Sequence, residues 1–266
     1  PNLKFYIGEL NTKTIWGMDL RPRMYAISLG QRTVTNADPR AEYVLTSHVG
    51  AEIGRPVGLH YHYGTLGQLQ HGENYATAYL RTIGLKIDQP RPFKKWPYKK
   101  GSPVKLFILA GHRNMEGERA FVQELQQLKG HQALLKSNPN IAFKYSLGGS
   151  YHVSKGWEPL GITGYYDTFG PELSFARTIT TAEPGNIAIA KFTHSGSQII
   201  DWTPEGSPAK SRHVYPKFIQ FVKQSVQELT AKGHAVEVAG IFYHVGENDM
   251  SFHPYRRDAA ARVQAI

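Results

Sequence analysis

Cysteine is missing from all 266 residues, which removes disulfides, thiol nucleophiles and cysteine-ligated zinc together. No stretch approaches the roughly 18 consecutive apolar residues that a membrane-spanning helix requires. A basic-then-apolar leader is also lacking at Pro1, so either a signal was removed ahead of this numbering or none existed. Internal repeats and low-complexity tracts are absent. Acidic side chains are scarce relative to basic ones, and the deficit is uneven. Residues 1–105 hold 15 Lys and Arg against 7 Asp and Glu, a balance of +8, while the remainder holds 16 against 14. A basic segment either attracts polyanions or is a solvated face with no special partner. No nucleic-acid-binding signature accompanies the charge, so acidic polysaccharide ranks above DNA or RNA as a partner.

What is present fits a globular chain: 41% hydrophobic residues, 12% aromatic, and length enough for one large or two modest domains. Residues 1–87 read as a β-rich region. Leu3–Ile7, Met24–Leu29, Tyr43–Ser47 and Tyr75–Ile87 are rich in β-branched and aromatic residues and are separated by Gly, Asn, Asp and Pro. Asp88–Pro103 (DQPRPFKKWPYKKGSP), with four prolines and five Lys or Arg, reads as an extended connector and marks the expected domain boundary, 1–103 against 104–266.

From Val104 the pattern changes to strand–helix alternation. Val104–Ala110, Asn186–Phe192 and Val236–Tyr243 are short apolar runs suited to strands buried on both faces. A helix is expected over Glu118–Lys129 and another from Tyr255 to Ile266. Tyr215–Lys232 carries a stripe of Phe218, Ile219, Val222, Val226 and Leu229, with Pro216 near its start and Gly233 after its end. Buried strands joined by helices predict a parallel sheet with right-handed crossovers, whose chemistry gathers where strands end.

Four polar clusters fall at such ends. Gly111-His112-Arg113-Asn114-Met115-Glu116-Gly117 follows the first strand, at a corner that suits a nucleophile or an anion site. Phe169-Gly170-Pro171-Glu172 opens a helix, and the Gly170 N–H is a candidate donor to a substrate oxygen. The third cluster holds His194, Ser195 and Ser197, and the fourth His244, Glu247, Asn248 and Asp249. Taken singly, each is also what a generic polar loop looks like. His60 and His62 alternate in HYHYG, with His71 downstream. Without a third ligand at recognisable spacing they make no metal site, and Tyr61 and Tyr63 are expected on the buried face.

In their order these clusters resemble the sialate O-acetylesterase and acetylxylan-esterase-like branch of the SGNH hydrolases, a carbohydrate esterase family. GHRNMEG is similar to that branch's Gly-Gln-Ser-Asn-Met-Glu-Gly, FGPELSFAR to its Gly-Pro-Glu block, KFTHSGSQIIDW to its lysine-ended strand and Trp loop, and HVGEND to its His-Gln-Gly-Glu-Ser-Asp. The similarity spans Val104 to Ile266 and implies a flavodoxin-like three-layer α/β/α parallel sheet, no cofactor, and an extracytoplasmic setting. Position by position, the nucleophilic serine falls on Arg113 and the oxyanion glutamine on Val245. Gly170 matches the glycine donor, and Asn248 fits the broader Gly-x-Asn-Asp block. No Asp-x-x-His, the family's base motif, occurs in the chain, which implies that it stops short of that block.

A guanidinium is permanently protonated and acceptor-free, so Arg113 cannot attack an ester carbonyl. Three readings follow. The first is a non-hydrolytic glycan binder in which Arg113, with His112, Asn114 and Glu116, grips an acidic or acetylated polysaccharide. An internal ion pair of Arg113 with Glu116 or Glu247 is the alternative for that side chain. The second is an esterase whose nucleophile has moved to Ser195 or Ser197, served by His194 or His244 and by Glu247 or Asp249. The third is a structural or assembly subunit, with Trp16, Trp96, Trp157 and the tyrosines supplying contacts.

Overall fold

The computed structural model describes residues 3–10, 14–15, 18–46, 62–84, 98–164, 167–208, 212–251 and 253–266. Six parallel strands form the body of a sheet: β1 (Phe5–Gly8), β2 (Ala41–Val44), β3 (Pro103–Gly111), β4 (Asn138–Leu147), β5 (Asn186–Thr193) and β6 (Ala235–His244). Their spatial order is β2-β1-β6-β3-β5-β4, every neighbouring pair parallel. Two short strands, His152–Val153 and Glu158–Leu160, pair antiparallel with β4 and complete eight.

Alternation along β3 explains the layering. Leu106, Ile108 and Ala110 point into one apolar cluster, Phe107 and Leu109 into the other, so both faces need cover. The first face is covered by α1 (Arg21–Ala37), α6 (Tyr215–Ala231) and α8 (Ala259–Gln264), through Met24, Ile27, Phe218, Leu229 and Val263. The second is covered by α2 (Thr65–Thr82) and α5 (Glu172–Ala182), through Leu69, Tyr79, Phe175 and Ile179. The result is a three-layer α/β/α arrangement. Among the described residues no helix is long and apolar enough to cross a membrane.

Several local expectations change. Met24–Leu29 is helical, because Met24, Ile27, Gln31 and Val34 make a buried stripe at helical spacing and Pro22 sits in the first turn, where its missing N–H costs nothing. Tyr75–Thr82 is helical for the same reason: Tyr75 and Tyr79 lie one turn apart, and both are buried. Tertiary burial overrides local β propensity in both segments. Residues 85–87 and 88–97 of the expected strand and connector lie outside the described residues, as do Trp16, Trp96, His60 and Tyr61. The helix expected over Glu118–Lys129 shrinks to α4 (Val122–Gln127), after a one-turn α3 (Arg113–Glu116). The last helix divides into α7 (His253–Arg257) and α8, with Asp258 between them. Strand β4 was not anticipated.

Helices α2 and α5 touch closely at Gly72. A Cβ there would run into the Pro171 carbonyl and the Ser174 hydroxyl, and would lie 2.7 Å from the Phe175 nitrogen. Gly72→Ala is therefore expected to lower stability by about 1–3 kcal/mol despite alanine's better helix propensity. Urea denaturation would show this as a lower midpoint at unchanged slope; a raised midpoint would show that the helices part freely.

Candidate functional site

Parallel pairing aligns strand ends. Gly111 lies opposite His244 on one side and Thr193 on the other, so the segments after β3, β5 and β6 meet at one sheet edge. The segment after β4 joins them, because Ser146 is level with Phe192. The corner that follows β3 is the meeting point, and nearly every side chain in it is committed.

His112 is fully buried. Its Nε2 accepts the Gly196 N–H at 2.9 Å and lies 3.4 Å from Asn248 Nδ2, which leaves Nδ1 to carry the proton, 3.6 Å from Glu247 Oε2. Asn114 accepts the Tyr63 N–H and donates to Glu247 Oε1, both at 2.9 Å. One oxygen of Glu116 accepts from the Gly148 N–H (3.0 Å), the Thr193 hydroxyl (2.7 Å) and the Ser195 hydroxyl (3.2 Å). Gly117 ends the turn at φ 90°, and a Cβ there would land on the Phe169 carbonyl, so only glycine fits. The corner thereby touches the loops around 170, 195 and 248.

Arg113 pairs through Nε with Glu118 Oε2 at 3.1 Å, both side chains about one-third exposed (34% and 31%). Its partner is neither Glu116, taken by loop donors, nor Glu247, which is buried beneath the corner. A single turn is also too short for its N-terminus to attract an anion. Arg113, Glu116, Glu118 and Ser195 line a cleft of about 270 Å³, which Leu147, Gly148, Tyr151, His152 and Thr168 complete.

Other expected site residues face inward. The Gly170 N–H is donated to Glu172 Oε1 at 3.0 Å and is not available to a substrate oxygen. Glu172 in turn pairs with Lys191 at 2.7 Å, both buried, and Lys191 also donates to the Glu116 carbonyl at 2.8 Å. The Ser197 hydroxyl donates to the His194 carbonyl (2.8 Å) and accepts from Trp202 Nε1 (3.0 Å), so it is a buried fastener. The Nδ1 of His194 lies 3.0 Å from the Ser195 carbonyl oxygen instead of its hydroxyl. Burial pushes the His194 pKa down. Val245, at the resemblance's glutamine position, is buried in the apolar cluster under α1 and α6.

Beneath the corner lies a layer of buried titratable groups. Burial pushes Glu247 up, but attraction from His112 and His244 and a backbone N–H outweigh it, leaving a pKa of about 2. His244 stands 3.5 Å from Glu247 and has its pKa lowered by burial, and the ring of His71 meets it edge-on at 4.8 Å. His62, buried beside Arg113, is lowered to about 3. Among the described residues no three such groups are placed to hold a metal ion. Asp249 is buried with both oxygens on the single N–H of Ile199, and burial raises its pKa to about 7.

Sequence reasoning missed Glu118, Thr168, Tyr151 and His152. For the last two a signal existed: the apolar run Ile141–Leu147 followed by Gly148-Gly149-Ser150 is a strand leading into a tight turn.

Comparison with known proteins adds a family. The model of the family described as carbohydrate esterase, sialic acid-specific acetylesterase, matches residues 103–262. An X-ray structure of a protein from Arabidopsis thaliana, determined at 1.6 Å, is 20% identical with a TM-score of 0.38. It covers 57% of this chain, which spans 59% of that protein's length. No curated protein sequence matches.

The raised pKa of Asp249 fixes the sign of one pH effect. Between about 4 and 7 the folded state holds a proton that the unfolded chain has released, so stability from this group is full below about 4 and is lost as pH rises to about 7. Asp249→Asn keeps an acceptor for Ile199 and is expected to be stabilised relative to the parent by a margin that grows from pH 4 to 7. Urea midpoints across that range check it, and a pH-independent difference would show that Asp249 titrates as an ordinary carboxyl.

Proposed function

The chain belongs, over residues 103–262, to the carbohydrate esterase, sialic acid-specific acetylesterase family, and from that premise we propose that its cleft binds an acidic or acetylated glycan without ordinary serine-nucleophile hydrolysis. The observation that carries this reading is Arg113. It stands at the turn after the central strand, where the motif resemblance puts the nucleophile, and its side chain lines the cleft. A guanidinium offers five donors and no lone pair, so it binds oxyanions and acyl oxygens but does not attack them. Its pair with Glu118 is one-third exposed and contributes only ~0–1 kcal/mol, so a ligand oxygen displaces Glu118 at little cost.

The serines support the same reading. Ser197 is buried and doubly bonded, and the Ser195 hydroxyl is donated to a carboxylate that already holds the Gly148 N–H and the Thr193 hydroxyl. Ser195 does line the cleft, and a carboxylate beside a serine hydroxyl is the one feature that favours an enzyme with a relocated nucleophile. An extracytoplasmic setting belongs to the family resemblance, and the separate reading as a structural or assembly subunit draws on no residue of the cleft.

Two measurements separate these readings. On p-nitrophenyl acetate, Ser195→Ala and Ser197→Ala are expected to match the parent at background turnover; turnover that disappears with either serine would establish the enzyme instead. On a glycan array, Arg113→Ala is expected to lose about ten- to a hundred-fold in affinity, the scale of one charged hydrogen bond, and parent binding is expected to weaken with salt. Glycan binding indifferent to both would remove Arg113 from the site.

A further inference from the structure

The turn after β4 has an unusual backbone. Gly148, Gly149 and Ser150 follow one another at φ of 60°, 73° and 81°, and a serine seldom adopts that conformation. The turn is nevertheless firmly held. The Gly148 N–H is donated to Glu116 at 3.0 Å, the Gly149 N–H to the Thr193 carbonyl at 2.9 Å, and the Tyr151 N–H to the Leu147 carbonyl at 2.9 Å. Its next residue, His152, lays its ring against Tyr145 at a centroid distance of 5.2 Å. A strained turn clamped to the cleft floor presents Tyr151 at the cleft's lip. Tyr151 is 74% exposed, more than any other large apolar residue described.

Cleft size decides what Tyr151 can meet. About 270 Å³ lies below the ~300–1,000 Å³ of pockets that enclose drug-sized ligands, so the cleft takes one sugar ring and a second must lie over the rim. There an aromatic face is well matched to a pyranose whose hydroxyls are equatorial, because the axial C–H groups form an apolar, weakly positive face against the negative ring face.

We propose that Tyr151 is a stacking platform for the second pyranose of an oligosaccharide whose first unit sits beside Arg113. The proposal rests on the reading of the cleft as a carbohydrate site. The ligand class becomes an oligosaccharide of two or more units with a flat, equatorially substituted ring next to the anchored one. Affinity for the oligosaccharide then exceeds affinity for its monosaccharide, and Tyr151 is the source of the difference.

Calorimetric titration of the parent, Tyr151→Ala and Tyr151→Phe with acetylated xylotetraose, xylose, a hyaluronan tetrasaccharide and glucuronic acid tests it. These are acetylated or acidic oligosaccharides of equatorially substituted rings, with their monosaccharides. The expected result is that Tyr151→Ala loses about ten-fold more affinity for the preferred oligosaccharide than for its monosaccharide, and that Tyr151→Phe retains parent affinity. A parent that prefers the oligosaccharide while Tyr151→Ala keeps the same preference overturns the platform and leaves the carbohydrate reading standing. A parent that binds none of the four sugars removes the carbohydrate reading itself.

Discussion

One carboxylate oxygen joins the parts of the cleft. Glu116 Oε2 accepts hydrogen bonds from Gly148, Thr193 and Ser195, groups that belong to the segment after β4, the end of β5 and the loop that follows β5. Their convergence follows from parallel pairing, which delivers the C-terminal ends of β3, β4 and β5 to the same edge. The carbonyl of the same residue accepts from Lys191, so Glu116 is tied both to the rim above and to the buried Lys191–Glu172 pair below. Losing one partner of such a buried pair strands the other charge, at about 3–5 kcal/mol. The corner is rigid because its polar groups have so few alternatives.

The rigidity has a chemical consequence. Gly170, Ser197, His112 and Asn114 all spend their hydrogen-bonding capacity on the protein itself. What lines the cleft is a guanidinium beside its partly exposed Glu118, the Ser195 hydroxyl with Glu116, His152 and Thr168, and an aromatic rim. That set is suited to gripping and orienting an oxygen-rich ligand, and the acceptor on the Ser195 hydroxyl, Glu116 Oε2, already holds the Gly148 N–H and the Thr193 hydroxyl. Glu247, buried between His112 and His244, bears on the cleft by holding His112 and Asn114 in place.

Much of the sheet was legible beforehand. Val104–Ala110, Asn186–Phe192 and Val236–Tyr243 are predominantly apolar because helices cover both of their faces, and short runs of that kind have few other destinations. The stripe in Tyr215–Ala231 was equally clear, with Phe218 and Leu229 facing the sheet. Motif order placed the cleft's first residues, Arg113, Glu116 and Ser195, at one edge. Tyr151 and His152 escaped because β4 was not recognised as a strand, and a turn has no address until its strand has one.

By itself, then, the sequence determined which segments must be buried and which polar clusters must sit where strands end, since periodicity and apolar content are local properties. Only the tertiary structure decided that Met24–Leu29 and Tyr75–Thr82 are helices, that Arg113 pairs with Glu118, and that Gly170 turns its N–H to Glu172. These outcomes depend on what packs against each segment, and bonds such as Tyr63 to Asn114 or Gly148 to Glu116 join residues that no short-range pattern relates.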